Sequence, residues 1–278
     1  MLSIFQYDFM QKAFITGILI AIITPCIGVT VVLKRFSMMG DSLSHNSLAG
    51  VAAGLAAGVN PVLGAVVFSM AASFSIERIS KAFPRYSEIA IAVIMSTGIG
   101  LAGIISGFVK NTANFTSFLF GSIVAISDFE LYLVIGLSVV VILAVIFLYK
   151  ELFYITFDEE SARLAGIPVK TINFVFTLLT AVTISISART VGTLVISSLM
   201  VLPVASAMRI AKSYKQTVVF AIIFSVMFTI SGLYISFYAD FKPGSTIVIV
   251  GVLSLISILI YENMVSKVFL KRAAKADC

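Results

Sequence analysis

Asp41 and His45 are the residues of this chain whose types and spacing could do chemistry. His45 is the single histidine among 278 residues. Asp41 lies four positions before it, one helical turn away and on the same face. The pair sits in KRFSMMGDSLSHNSLAGVAAGLAAG, residues 34–58, among mostly apolar neighbours. A carboxylate and an imidazole in a membrane-length segment are costly to bury and point to function. Imidazole nitrogen suits zinc, iron or nickel, and carboxylate oxygen suits manganese. The i, i+4 spacing is that of paired histidines on zinc-binding helices, with a carboxylate replacing one imidazole. Two ligands are too few for a tight structural site, and an ion in transit needs loose coordination to leave. The residues alone leave four readings: a cation pathway, a proton relay, an Asp–His hydrogen bond that only locks helices, or a polar connection at 36–46 outside the membrane. Ser42, Ser44, Asn46 and Ser47 offer further oxygen donors, with Ser44 one turn after Asp41 and Ser47 poorly placed. Met38 and Met39 flank the pair and read as packing, since thioether sulfur suits copper(I).

The elements that must hold this pair are membrane helices. Hydrophobic residues make up 60% of the chain and charged residues 12%, with a mean hydropathy of +1.11. A soluble domain carries about twice that charge and lacks the interior for so many apolar side chains. The fold class is therefore an all-α integral membrane protein, a polytopic helical bundle. The net charge of +6 gives no case for nucleic acid, because the basic residues are scattered between apolar runs. Cys26 and Cys278 form neither a disulfide framework nor a zinc site. The run 13–33 ends at Lys34 and Arg35 without a cleavage site and reads as a retained span.

A helix needs about 20 apolar residues to cross the hydrocarbon. Nine segments qualify: roughly 11–33, 38–58, 61–78, 88–109, 130–149, 171–188, 191–210, 217–238 and 245–264. Residues 118–129, FLFGSIVAISDF, are too short to cross and read as a short or re-entrant helix; the competing reading is one long helix over 118–149. Arg189-Thr190 reads as a minimal turn. With the N-terminus outside, fifteen of the 19 lysines and arginines fall inside, leaving Lys12, Lys110, Arg189 and Lys242 outside. The C-terminus is then cytoplasmic, as is the 150–170 loop. If Lys34 and Arg35 mark the inner surface, Asp41 lies about 9 Å and His45 about 15 Å deeper, near mid-membrane.

The chain reads as one transmembrane domain, 1–278, with a bundle over 10–264, the 150–170 loop and a tail at 265–278. In that loop, Asp158, Glu159 and Glu160 suit a helix N-terminus, and Gly166 and Pro168 suit its stop. Such a helix could dock a partner through Asp158, Glu159, Glu160, Ala162 and Gly166. Pro203 falls mid-span and should kink or break its helix, either as packing or as a gate. Gly50, Gly54 and Gly58, and Gly103 and Gly107, have the spacing of close helix contacts. Glu77 and Arg78 reach the inner interface, and Asp240 reads as a turn residue. There is no P-loop and no HExxH, so any ATP-driven work needs a partner subunit.

The stretches FMQKAFITGILIAIITPCIGVTVVLKRFSMMGDSLSHNSLAGVAAG, FLFGSI, FDEESARLAGIPV, RTVGTLVISSLMVLPVASA and SGLYISFYADFKPGSTIVI resemble the membrane permeases of ABC-type zinc, manganese and iron importers. The likeness spans about residues 10–262. It implies a transport protein that is not itself an enzyme and keeps no permanent cofactor. It implies a second permease copy, a cytoplasmic ATPase dimer that binds ATP, and an extracytoplasmic metal-binding protein, all assembled at a bacterial inner membrane. Asp41 and His45 match the family's ion-contacting residues, and 156–168 matches its ATPase-docking loop. Zinc is the first expectation for the cargo, with manganese or ferrous iron next. The competing classes are an ion-coupled secondary transporter, which would show more mid-membrane acids and an inverted repeat, and a non-catalytic scaffold.

Overall fold

The computed structural model describes residues 6–83, 86–109 and 126–276. Eleven helices cover nearly all of these: α1 Asp8–Leu33, α2 Met39–Ala57, α3 Pro61–Ala82, α4 Ser87–Ser106, α5 Asp128–Phe147, α6 Tyr149–Phe157, α7 Glu159–Leu164, α8 Val169–Val191, α9 Thr193–Ile210, α10 Tyr214–Ala239 and α11 Pro243–Ala276. The protein is an all-α polytopic membrane bundle.

Seven of the described helices are long and apolar enough to cross a bilayer: α1, α3, α4, α5, α8, α10 and α11. Nine segments are expected from the sequence, and the other two are α2 and α9. In α2 the polar run GDSLSHNS dilutes the apolar character, and α9 offers only a shorter apolar helix, Val195–Ile210. Apolar residues surround α1 on every face, as a helix in the middle of a bundle requires. Its apolar window is 72% buried, against 17–22% for α4, α5 and α11, which stand at the outside of the bundle. α1 packs on α5, α8, α9 and α10, while α2 packs on α3, α4, α8 and α9.

Local chemistry sets the helix ends. Asn60 accepts from the Val62 N–H at 2.9 Å, and Pro61 opens α3. A reciprocal capping box of Ser127 and Glu130 starts α5 at Asp128. One helix over 118–149 is therefore excluded, because capping ends the helix at this point. Residues 118–125 of the expected re-entrant segment lie outside the described residues. The Arg189-Thr190 turn is corrected: α8 runs on through both, and the chain turns at Gly192 (φ +102°), a conformation that costs glycine nothing. The 150–170 stretch is also more ordered than a loop. It forms α6 and α7, because Leu152 and Ile155 repeat at helical spacing and are buried. α11 continues unbroken through the expected tail to Ala276.

Glycine contacts divide the two expected stripes. A Cβ at Gly50 would collide with the Gly64 carbonyl, and one at Gly54 would lie 2.9 Å from the Pro61 Cα. These two let α2 and α3 touch backbone to backbone. Among the described residues Gly103 meets no neighbour and Gly107 meets only the Ile104 carbonyl at 3.3 Å, so no close helix contact forms there between described residues.

Candidate functional site

Asp41 stands in the first turn of α2, and His45 follows one turn later. From Met39 to Ala52 every residue is buried except these two. Their side chains are 29% and 24% exposed. His45 Nε2 and Asp41 Oδ1 are 3.8 Å apart, beyond a hydrogen bond. With bonds of about 2.1 Å, one tetrahedral ion would hold two such atoms about 3.4 Å apart. A closing of a few tenths of an ångström would let a single cation bridge them. The helix-locking reading loses support, because both residues belong to one helix and neither bonds to another described residue.

The other polar side chains of α2 face elsewhere. Ser42 Oγ donates to the Ile91 carbonyl at 3.3 Å, and Asn46 Nδ2 to the Ile94 carbonyl at 3.0 Å, so both tie α2 to α4. From α3, Ser69 Oγ donates to the Leu43 carbonyl at 3.2 Å. Residues 36–46 are thus no polar connection: from Met39 onward they form a helix packed inside the bundle. Ser47 is buried away from the open face. Ser44 is buried too, and its hydroxyl has no partner among the described residues. Among the described residues no three His, Cys, Asp or Glu gather as a metal centre.

α9 presses on this site. Met200 fills the space above Gly28 of α1 and Gly40 of α2, and Ser197 stands over Gly40, the residue before Asp41. Pro203, one turn beyond Met200, lies within α9 without breaking it. Of the expected kink or break, the break does not occur, and proline removes one backbone donor there. The pull of α9 on Gly40 is a contact that sequence reasoning missed; two glycines facing one methionine leave no periodic trace.

On the Lys34 side of the bundle a cavity of about 640 Å³ opens between the α1–α2 turn, α3, α6 and α8. Lys34 Nζ donates to Asn173 Oδ1 at 3.0 Å across it. Burial pushes the Lys34 ammonium below the usual lysine range, and Glu159 and Glu77 partly oppose that shift. Arg35 follows with φ +63°, a left-handed turn that leads directly into α2. This joint between the two candidate sites is legible only in three dimensions, since Lys34 and Asn173 lie far apart in sequence.

α6 is a fixed arm and α7 its tip. Tyr149, Phe153 and Phe157 surround Tyr214 of α10 with ring centres 5.4–6.2 Å away, and the Tyr214 hydroxyl lies 3.2 Å from Thr30 Oγ1 of α1. Asp158 caps α7, its Oδ1 accepting from the Ser161 N–H at 3.0 Å and its Oδ2 from the Ser161 hydroxyl. These two bonds hold the Asp158 carboxyl below the usual carboxylate range. Glu159 and Glu160 are exposed, and so is Gly166 with φ +83°. Ala162, one of the residues expected at the dock, is 1% exposed and packs into the core. Leu164, which sequence reasoning passed over, is 88% exposed at the tip.

The whole span of this architecture matches one family, described as the ABC 3 transport family, over residues 6–262. The chain belongs to that family. It is 32% identical to the high-affinity zinc uptake system membrane protein ZnuB of Haemophilus influenzae, over 88% of this chain and 94% of that one. It is 31% identical to the manganese transport system membrane protein MntC of Listeria monocytogenes, over 89% of each. The solved structure of PsaBC from Streptococcus pneumoniae in complex with Fab superposes with a TM-score of 0.82 at 28% identity, covering 92% of both chains. The permeases of this family are non-catalytic membrane components, and this chain is a permease related to bacterial membrane proteins named for zinc and manganese transport. It is a multi-pass protein of the inner-membrane type.

Proposed function

We propose that this permease carries a divalent transition metal through a path lined by Asp41 and His45, driven by a separate ATPase. The observation that carries this reading is the open pair on an otherwise buried stretch of α2. A side chain that costs energy in a bilayer and faces away from its own bundle needs a partner outside it. Two ligands per chain are incomplete, and a second copy set against this face would supply four. An extracytoplasmic binding protein delivers the ion, and a cytoplasmic ATPase dimer engages α7 through Leu164, Glu159 and Glu160. The ion leaves only if the two states of the cavity bind it with different affinity. Pro203 is the candidate gate: α9 lacks one backbone bond there and touches Gly40 beside Asp41.

Nine crossings, N-terminus outside and C-terminus cytoplasmic, fit the pairings between helix ends. Lys12 reaches both Asp8 and Asp128 at 2.8 Å, which sets the starts of α1 and α5 at one end of the bundle. Lys34, Lys81, Ser87 and Glu159 share the cavity at the other end. There Arg209 also pairs with Glu262 at 2.7 Å. The basic end is then the cytoplasmic one. Zinc, expected first, shares its place with manganese. One carboxylate and one imidazole accept both metals, and the relatives carry both names.

Uptake into vesicles holding the assembled transporter tests the reading. Zinc, manganese and ferrous iron would be offered in competition. Asp41→Ala and His45→Ala should each lower ATP-dependent uptake more than tenfold with protein levels near normal. Uptake at the unsubstituted rate would remove both residues from the path.

A further inference from the structure

α5 and α10 both pack on α1 but leave a gap between them. The result is a groove of about 470 Å³. Its floor is Ile22 and Cys26 of α1, its walls are Ile142 and Ile146 of α5 and Val218 and Ile222 of α10, and Tyr149 and Lys215 stand at its mouth. No residue of α2, α8 or α9 lines it, so it lies apart from Asp41 and His45.

We infer that this groove binds one anionic membrane phospholipid, with an acyl chain against the apolar walls and the headgroup phosphate at Lys215. The length fits. Lys215 is in the first turn of α10, and Ile222 lies seven residues on, about 10 Å deeper. Ile22 lies about 16 Å from the end of α1 at Leu33. The groove thus runs from headgroup level to about the midplane of a hydrocarbon layer of about 30 Å, the reach of one leaflet. The charge fits as well. Of the titratable groups in the lining, a thiol, a phenol and an ammonium, only the ammonium is charged at neutral pH. Lys215 is exposed, no carboxylate lines the groove, and a basic residue at headgroup level attracts anionic lipid. A second protein copy is the poorer occupant, because the face with unmet ligands is on α2.

Native mass spectrometry of the full chain, titrated with phosphatidylglycerol or phosphatidylcholine, tests this. The intact chain should hold one phosphatidylglycerol about fivefold more tightly than phosphatidylcholine, the effect of one cation near a headgroup. Lys215→Ala should erase that preference and leave phosphatidylcholine binding unchanged. Ile222→Trp, which fills the groove, should lower retention of both lipids. Val219→Trp, on the exposed face of the same helix, should lower neither. Equal affinity for the two lipids in the intact chain, or a preference that survives Lys215→Ala, would overturn the headgroup assignment. Equal losses from the two tryptophans would overturn the groove.

Discussion

At the scale of single residues, the candidate site depends on exposure rather than on strong bonds. Asp41 and His45 sit too far apart to satisfy each other and make no bond to another described residue. Truncating them breaks no bond to another described residue, and the stability change should be about 1 kcal/mol, the centre of the range for single substitutions. A large loss of uptake with a melting temperature lowered by only a few degrees is the expected signature. The same exposure makes a geometric prediction. Met38 lies one turn before Asp41 and is 53% exposed. If the α2 faces of two copies meet, Met38→Cys in a background lacking Cys26 and Cys278 should give a disulfide-linked dimer under mild oxidation. A chain that stays monomeric on a denaturing gel would place the second copy elsewhere.

At the scale of elements, two helices carry predictions of opposite kind. α2 and α3 meet through Gly50 and Gly64, where an added methyl group would strike a backbone carbonyl that cannot step aside. Gly50→Ala should cost on the order of 1–3 kcal/mol through overpacking, whereas Gly103→Ala, with no described residue against it, should be neutral or slightly stabilising. Thermal unfolding of the two variants in detergent would separate them. α7 is the second case. Replacing Asp158 and Glu159 by lysine and Leu164 by alanine should weaken co-purification with the ATPase, and unchanged co-purification would remove α7 from the interface. pH acts on the same cap. The Asp158 carboxyl is held below its ordinary value, so the cap is complete above the normal carboxylate range and is lost as pH falls through the lowered value. ATPase association should therefore be insensitive to pH near neutrality and weaken only under acid.

At the scale of the whole molecule, α1 sits at the centre, with α5 and α10 on one side and α8 and α9 between it and α2. The arrangement separates the face that carries Asp41 and His45 from the groove between α5 and α10. The chain by itself determined the membrane class, the basic end of the bundle and the Asp41–His45 pair. Those follow from hydropathy, charge counts and helical spacing, which are local and additive. The start of α5 at Asp128, which the sequence reading left open against one helix over 118–149, was decided by the capping box of Ser127 and Glu130. Only the tertiary structure decided which of the polar residues on α2 are spoken for. Ser42 and Asn46 bond to carbonyls of α4 nearly fifty positions away, and no local pattern encodes that distance. The burial of Ala162, the exposure of Leu164 and the turn at Gly192 in place of Arg189-Thr190 were decided there too. Each depends on which neighbour arrives from elsewhere in the chain, and packing is a property of pairs of helices that one helix's sequence does not contain.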